Sequence, residues 1–207
     1  MENSKIILIN GKKRSGKDYT AQKIKEVLED EGFFVEIIAF ADPIKEIIAT
    51  TFGMSLELLN IFKNNKQKIY VEKQNATEDE MFLGDNLVQI SDFRTILQRF
   101  GTEGMQGTFG KNVWVDLLKR KVHFSCCDYV IVPDFRFNAE DIGDYSVNIF
   151  NSEIIDAGDT HASENELNDF NFDYTLDNTG QPDLTSQIQI LLGSILRSEN
   201  KNGFLIP

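Results

Sequence analysis

The stretch that most constrains this chain is residues 6–24. The apolar run Ile6, Ile7, Leu8, Ile9 stops at GKKRSGKD (11–18), and Ala21, Ile24, Val27 and Leu28 then recur at helical spacing. A buried strand, a loop bounded by Gly11 and Gly16, and a helix make an arrangement in which main-chain N–H groups converge on an anion. Gly11 allows the sharp turn, Gly16 lets the backbone approach phosphate oxygens, and Lys17 reaches the outer phosphates of a nucleotide. The helix adds the partial positive charge of its N-terminus. One position departs from the usual pattern: Asp18 stands where a Ser or Thr hydroxyl normally contacts magnesium. The bland alternative is a polar strand-to-helix turn with no ligand.

Charge bounds what such a loop can serve. The 207 residues carry a net charge of −12, and its distribution is uneven. Between Arg136 and Arg197 there are twelve acidic residues and no Lys or Arg, whereas the rest balances at 21 acidic against 21 basic residues. An acidic chain lacks the basic face that extended nucleic acid requires, but a small phosphorylated substrate remains compatible with the first two-thirds. No apolar stretch approaches a membrane span, and the N-terminal MENSK lacks a signal-peptide design, so a soluble, cytoplasmic protein is expected. The adjacent Cys126 and Cys127 suit neither a disulfide framework nor a spaced metal site and read as the apolar start of a strand.

Phe33 to Phe40 reads as a second buried strand, completing a βαβ unit that implies a parallel sheet. Asp42 and Pro43 open a helix with Ile44, Ile47 and Ile48 on one side. Lys45, in its first turn, is either a contact for a substrate phosphate at the sheet's C-terminal edge or a solvated helix lysine. Residues 54–90 read as helices and loops. Ser91 or Asp92 then caps a helix whose apolar face is Phe93, Ile96, Leu97 and Phe100. Arg94, Gln98 and Arg99 fall on or near its polar side, suited to holding phosphate and a base edge, or merely solvated. GTEGMQGTFG (101–110), with four glycines, predicts a flexible turn or unusual backbone angles. Trp114, at the start of the next helix, is either core or a stacking platform.

Tyr129 to Val132 reads as a third buried strand. Asp134 beyond it is placed to orient magnesium or its waters, and Arg136 to neutralise a transferring phosphoryl group or to pair locally with Asp134 or Glu140. Tyr145 to Phe150 and Tyr174 to Leu176 read as further strands, DNTG (177–180) as a turn, and Leu184 to Leu196 as a closing amphipathic helix. The acidic connection at about 151–172 is too long for an ordinary loop and reads as a lid or flap, with His161, Ser163 and Glu164 in it. A single domain over 1–207 is expected, with a helical substrate-binding insert at about 43–120.

Seven motifs taken in order resemble the bacteriophage deoxynucleoside monophosphate kinases: KRSGKD with Thr20 and Ala21, ADPIK (41–45), LQRFGTE (97–103), FG followed by Trp114, VPDFR (132–136), DTHASE (159–164) and DNTG. The resemblance implies a three-layer P-loop kinase fold and transfer of the γ-phosphoryl of Mg-ATP to a deoxynucleoside monophosphate. It implies ATP binding by Gly11, Lys13, Arg14, Ser15, Gly16, Lys17, Asp18, Tyr19 and Thr20. It implies substrate contacts by Arg94, Gln98, Arg99, Thr102, Glu103 and Arg136; Lys45, Trp114 and Asp134 join the candidate substrate contacts by their places in the chain. Asp18 and Asp134 would hold Mg2+, Asp18 directly or through water and with Ser15 or Thr20 assisting; Lys17, Arg14, Asp18 and Arg136 would carry catalysis. Pairing of two chains as a homodimer is left open.

Two departures stand out: Tyr19 replaces the Thr usual after that aspartate, and the 137–196 segment lacks the cations that kinase lids often supply. The chain is also similar to animal-type phosphomevalonate kinases, which carry an aromatic after Gly-Lys-Asp as Tyr19 does here, a Pro-Ile/Leu-Lys helix start and Asp-x-Arg. A non-catalytic nucleotide-binding module is the third expectation. A GTP switch is disfavoured, because the nearest text to its base-reading element, NKQK at 65–68, lacks the aspartate.

Overall fold

Strand β1 (Lys5–Gly11) is buried on both faces, as a continuous apolar run demands. Ile7 and Ile9 pack into one core and Ile6 and Leu8 into another, following the two-residue period of a strand. The computed structural model describes residues 4–72, 87–153, 166–180 and 183–201. The chain divides into two compact units, Met1–Phe40 with Trp114–Pro207, and Ala41–Val113.

In the first unit, β1 leads through a short loop into α1 (Lys17–Asp30) and returns as β2 (Val35–Ile37). The aromatic run predicted as a strand over 33–40 thus pairs over only three residues, extended by the Ile38 N–H bond to the Ile131 carbonyl at 2.9 Å. The unit continues with β5 (Tyr129–Val132), β6 (Tyr145–Phe150), β7 (Tyr174–Asp177) and a long C-terminal helix, Leu184–Lys201. These five strands form one parallel sheet in the order β2-β5-β1-β6-β7. Leu8 pairs with Val132 on one side of β1, and Ile9 with Val147 on the other.

Helices cover both faces. On one, Ile24 and Leu28 of α1 and Ile188, Leu192 and Ile195 of the C-terminal helix meet Ile7, Ile131 and Val147. On the other, Val115, Leu118 and Val122 meet Leu8, Val130 and Val132. The unit is therefore a mixed α/β fold, a central parallel sheet between helical layers. Gly32, at φ 92°, ends the turn after α1 where the sequence places its stop.

The second unit holds α2 (Asp42–Thr51), α3 (Leu56–Asn64), an antiparallel pair β3 (Lys68–Glu72) and β4 (Leu87–Asp92), then α4 (Phe93–Arg99). The strand pair corrects the reading of 54–90 as helices and loops. KIYVE and LVQISD each alternate for too few residues to stand out from their polar surroundings, and pairing supplies what local pattern does not. Residues 73–86 lie outside the described residues. Asp92 is the cap of α4, accepting the Thr95 N–H at 3.1 Å. Phe93 anchors this unit, edge-on to Phe52 at 5.2 Å and stacked with Phe62 at 5.6 Å.

The glycine-rich stretch after α4 is not a loose turn. It forms a π-helix over Phe100–Gln106, followed by a short α5 (Gly107–Phe109), and only Gly110 takes a positive φ, 94°. Helix α6 (Val113–Phe124) comes next, and the C-terminal helix is then α7.

Ile188 of α7 is fully buried whereas Ile190 is 69 % exposed. Ile188→Ala is expected to cost about 2–4 kcal/mol of stability in chemical denaturation, and Ile190→Ala no more than about 0.5 kcal/mol.

Candidate functional site

The loop between β1 and α1 leaves the sheet where two neighbouring strands send their connections in opposite directions. From β1 the chain goes toward β2; from β6, on the other side, it goes outward to β7. Ligands of open α/β sheets collect outside the strand ends at such a switch point. Gly11 pairs with Ile149 at the very end of the ladder, and a Cβ on Gly11 would lie 2.8 Å from the Ile149 carbonyl.

The loop is tightly determined. The Ser15 N–H donates to the Lys12 carbonyl at 3.0 Å, closing a turn in which Arg14 is left-handed at φ 69°. A non-glycine residue there carries a conformational cost that the surrounding bonds must offset. Gly16 caps α1 at φ 97°, ψ 16°, and no side chain bonds to the first-turn N–H groups from the cap position. A left-handed residue followed by right-handed helix turns successive N–H groups toward one side, the geometry of an anion nest. The Lys17 ammonium donates to the Lys12 carbonyl at 3.2 Å and so lies folded over the loop.

The predicted loop residues divide by position. Lys13, Arg14 and Asp18 lie at or near the surface, with Asp18 in the first turn of α1. Ser15 is 1 % exposed, and its hydroxyl has no hydrogen-bond partner among the described residues. Thr20 is fully buried; its N–H and hydroxyl donate to the Gly16 carbonyl at 2.8 and 3.0 Å. The Thr20 hydroxyl is therefore engaged by the helix backbone. Tyr19 stands on the outer surface of α1, with the Lys23 ammonium 5.8 Å from its ring centre.

Beside the loop, the end of β5 is pinned by three bonds. Asn10 donates through Nδ2 to the Phe135 carbonyl at 2.8 Å, and the Phe135 N–H reaches the Ile9 carbonyl at 3.3 Å. The Asp134 carboxylate accepts the Phe40 N–H at 2.9 Å, tying the end of β5 to the chain leaving β2. Arg136 lies just beyond, on a loop organised by Glu140, whose carboxylate accepts the Arg136 N–H at 2.8 Å and the Phe137 N–H at 3.1 Å. Glu140 is 9 % exposed, and burial, aided by the charge of Asp134, pushes its carboxyl up to about 7 against the opposing pull of those N–H groups and of Arg136. Glu140, expected as an ion-pair partner of Arg136, also holds the main chain of residues three and four positions before it.

On the far side of the loop lies Asn178, from the turn after β7. Its Nδ2 donates to the Ser15 carbonyl at 2.9 Å. A Cβ on Gly16 would come within 2.4 Å of that nitrogen. The DNTG text was legible as a turn, but nothing local signals a bond to a loop 163 positions earlier.

The remaining predicted substrate residues, Trp114 apart, belong to the second unit. Lys45 pairs with Asp42 at 3.0 Å. Arg94 is half-buried, while Gln98, Arg99, Thr102 and Glu103 are on the exposed side of α4 and the π-helix, with the Thr102 hydroxyl donating to the Gln98 carbonyl at 2.6 Å. Trp114 belongs to the first unit and packs, half-buried, against the core of Val115 and Leu118. Part of the predicted lid, with His161, Ser163 and Glu164, lies outside the described residues. Among the described residues no three His, Cys, Asp or Glu side chains gather as a metal site. None of their helices is long and apolar enough to cross a membrane.

No protein-family model and no curated protein matches this chain. Among solved structures, it is similar to TT1252 from Thermus thermophilus, at 14% identity and a TM-score of 0.47, covering 95% of this chain and 98% of that one. It is also similar to APE1195, at 15% identity and a TM-score of 0.19, covering 63% of this chain and 86% of that one. At these scores neither likeness bears on activity.

The geometry leads to two expected outcomes. Gly16→Ala meets both a left-handed backbone and the Asn178 amide, so it is expected to destabilise the protein by about 1–3 kcal/mol in thermal or denaturant unfolding. The second concerns pH. Folded Glu140 holds its proton to a higher pH than the unfolded chain, so its contribution to stability is fully present below about 4.5 and lost as pH rises to about 7. Glu140→Gln should flatten that slope, worth about 3 kcal/mol, in unfolding curves across this window.

Proposed function

We propose that the protein is a P-loop kinase of the nucleoside monophosphate kinase type, transferring the γ-phosphoryl of Mg-ATP to a deoxynucleoside monophosphate. The observation that carries this reading is the loop: a left-handed Gly16 opening α1 at the end of the central strand, with Lys17 folded over it and four cations within residues 12–17 of an otherwise acidic chain. A polyphosphate there would accept bonds from the loop amides and charge from Lys17 and Arg14.

Asp18 supports a role for a divalent cation. A carboxylate in the first turn repels phosphate, and a hard cation shared between them turns that conflict into coordination. Asp18 and Asp134 would hold Mg2+ through carboxylate oxygens, the ligands that this hard cation prefers. When bound, the ion neutralises charge on the outer phosphates. Lys17 and Arg14 would hold the donor, and Arg136, on its Glu140-braced loop, would stabilise charge on the phosphoryl group as it moves. The acceptor phosphate is already an anion, so positioning replaces a strong general base. Arg94, Gln98, Arg99, Thr102 and Glu103 are assigned to the acceptor through the sequence resemblance, Lys45 by its place in the first turn of α2, and Trp114 as a stacking platform.

Tyr19 keeps a phosphomevalonate kinase-like substrate as the second reading. A coupled ADP-release assay across the deoxynucleoside monophosphates, with phosphomevalonate as a parallel arm, decides between them. Turnover with one or more monophosphates is expected; turnover with phosphomevalonate alone selects the second reading, and no turnover leaves a non-catalytic nucleotide-binding module. Lys17→Ala should lower kcat/KM by at least about a hundredfold in a folded protein. Asp18→Asn should weaken Mg-dependent turnover while tightening binding of metal-free ATP, the latter read by calorimetry in EDTA.

A further inference from the structure

We propose that Asn178 is a positioning residue for the phosphate loop, fixing from outside the direction in which the loop amides face the polyphosphate. This rests on the reading of residues 11–17 as that loop. A trans peptide points its carbonyl and its N–H in opposite directions. Asn178 holds the Ser15 carbonyl at 2.9 Å, so the N–H of the same peptide, that of Gly16, is directed away from it. The next peptide is held in the same manner, because the Gly16 carbonyl accepts both the N–H and the hydroxyl of Thr20, which fixes the Lys17 N–H. Two consecutive amides are thus oriented by groups behind the loop, one local and one from the far end of the chain.

Asn178 is itself held on both sides. Its N–H donates to the Phe150 carbonyl at 2.8 Å, and its carbonyl accepts from Nδ2 of Asn151 at 2.9 Å. Both partners belong to the end of β6 or the residue after it, and β6 is paired with β1, so the amide reaches the loop from a rigid base. The turn beyond is closed by Asp177, whose carboxylate accepts the Thr179 N–H at 2.8 Å and also bonds the Thr179 hydroxyl. A Cβ on Gly16 would displace the Asn178 amide from its bond to Ser15, so Asn178 and Gly16 fit as a pair. The absence of a Cβ at Gly16 serves the clamp as well as the backbone angle.

The test uses inorganic tripolyphosphate, which has no base or sugar, beside Mg-ATP. Asn178→Leu keeps the size of the side chain and removes the donor; Asn178→Ala is the companion should Leu not fold. Dissociation constants for both probes are expected to rise together by roughly tenfold, the worth of one well-placed hydrogen bond, with KM for the acceptor unchanged. Loss with Mg-ATP but not with tripolyphosphate would make Asn178 a base or sugar contact and overturn the proposal. So would unaltered affinity for both probes in folded variants, even with a lowered melting temperature. Wild-type protein and Lys17→Ala run in parallel: if wild type binds neither probe, the phosphate-loop reading falls and this proposal with it. If Lys17→Ala loses affinity for the probes and the Asn178 variants keep it, the loop reading stands and this proposal alone is lost.

Discussion

The pairing of β1 on both edges and its burial on both faces is the constraint on which the rest of the first unit depends. Ile7 and Ile9 fill one core and Ile6 and Leu8 the other, while β5 and β6 take its backbone bonds. A strand so enclosed has one exit, beyond the sheet's C-terminal edge. The chain must turn at that exit, and it does so over Gly11 and Gly16, where an added Cβ would lie within 3 Å of neighbouring atoms. The strain at Arg14 and the carboxylate of Asp18 beside the helix start are tolerated because this frame is stiff.

Around that exit the chain places three braces, in each of which side chains hold main chain. Asn10 and Asp134 fix the end of β5, Glu140 fixes the loop carrying Arg136, and Asn178 fixes the loop carrying Lys17. Asn10, Glu140 and Asn178 need not touch a substrate for their loss to be felt there. Holding the main chain in place orients the cationic side chains it carries, which is what electrostatic stabilisation of phosphoryl transfer asks of a protein.

Elements with strong local signals were legible in the sequence: the buried strands at Ile6 to Ile9 and Tyr129 to Val132, the helix after the loop, the Asp92 cap, the stop at Gly32. The parallel sheet was implied by the strand–helix–strand unit. The features that the sequence concealed depend on distant partners. The β3–β4 pair is too short and polar to announce itself, and the glycines of 101–110 suggested a turn where a π-helix runs instead. The same division holds at the site. Gly16, Lys17 and Asp18 stand out by spacing, whereas the reach of Asn178 to Ser15 is a matter of tertiary contact, and the bonds of Glu140 to residues three and four positions before it depend on a loop conformation with no sequence signal. The Thr20 hydroxyl, a candidate aid to Asp18 by proximity in sequence, is turned into the helix because a Thr four residues past a carbonyl bonds back to it.

Titration of 15N-labelled protein with Mg-ATP, followed by amide NMR, shows whether the backbone amides of the loop receive a nucleotide's phosphates. The Gly16 and Lys17 amide resonances are expected to move with the fraction bound, while amides at the exposed end of α6, around Lys121 and His123, stay in place. Saturable binding that leaves the Gly16 and Lys17 amides unmoved would contradict that role of the loop.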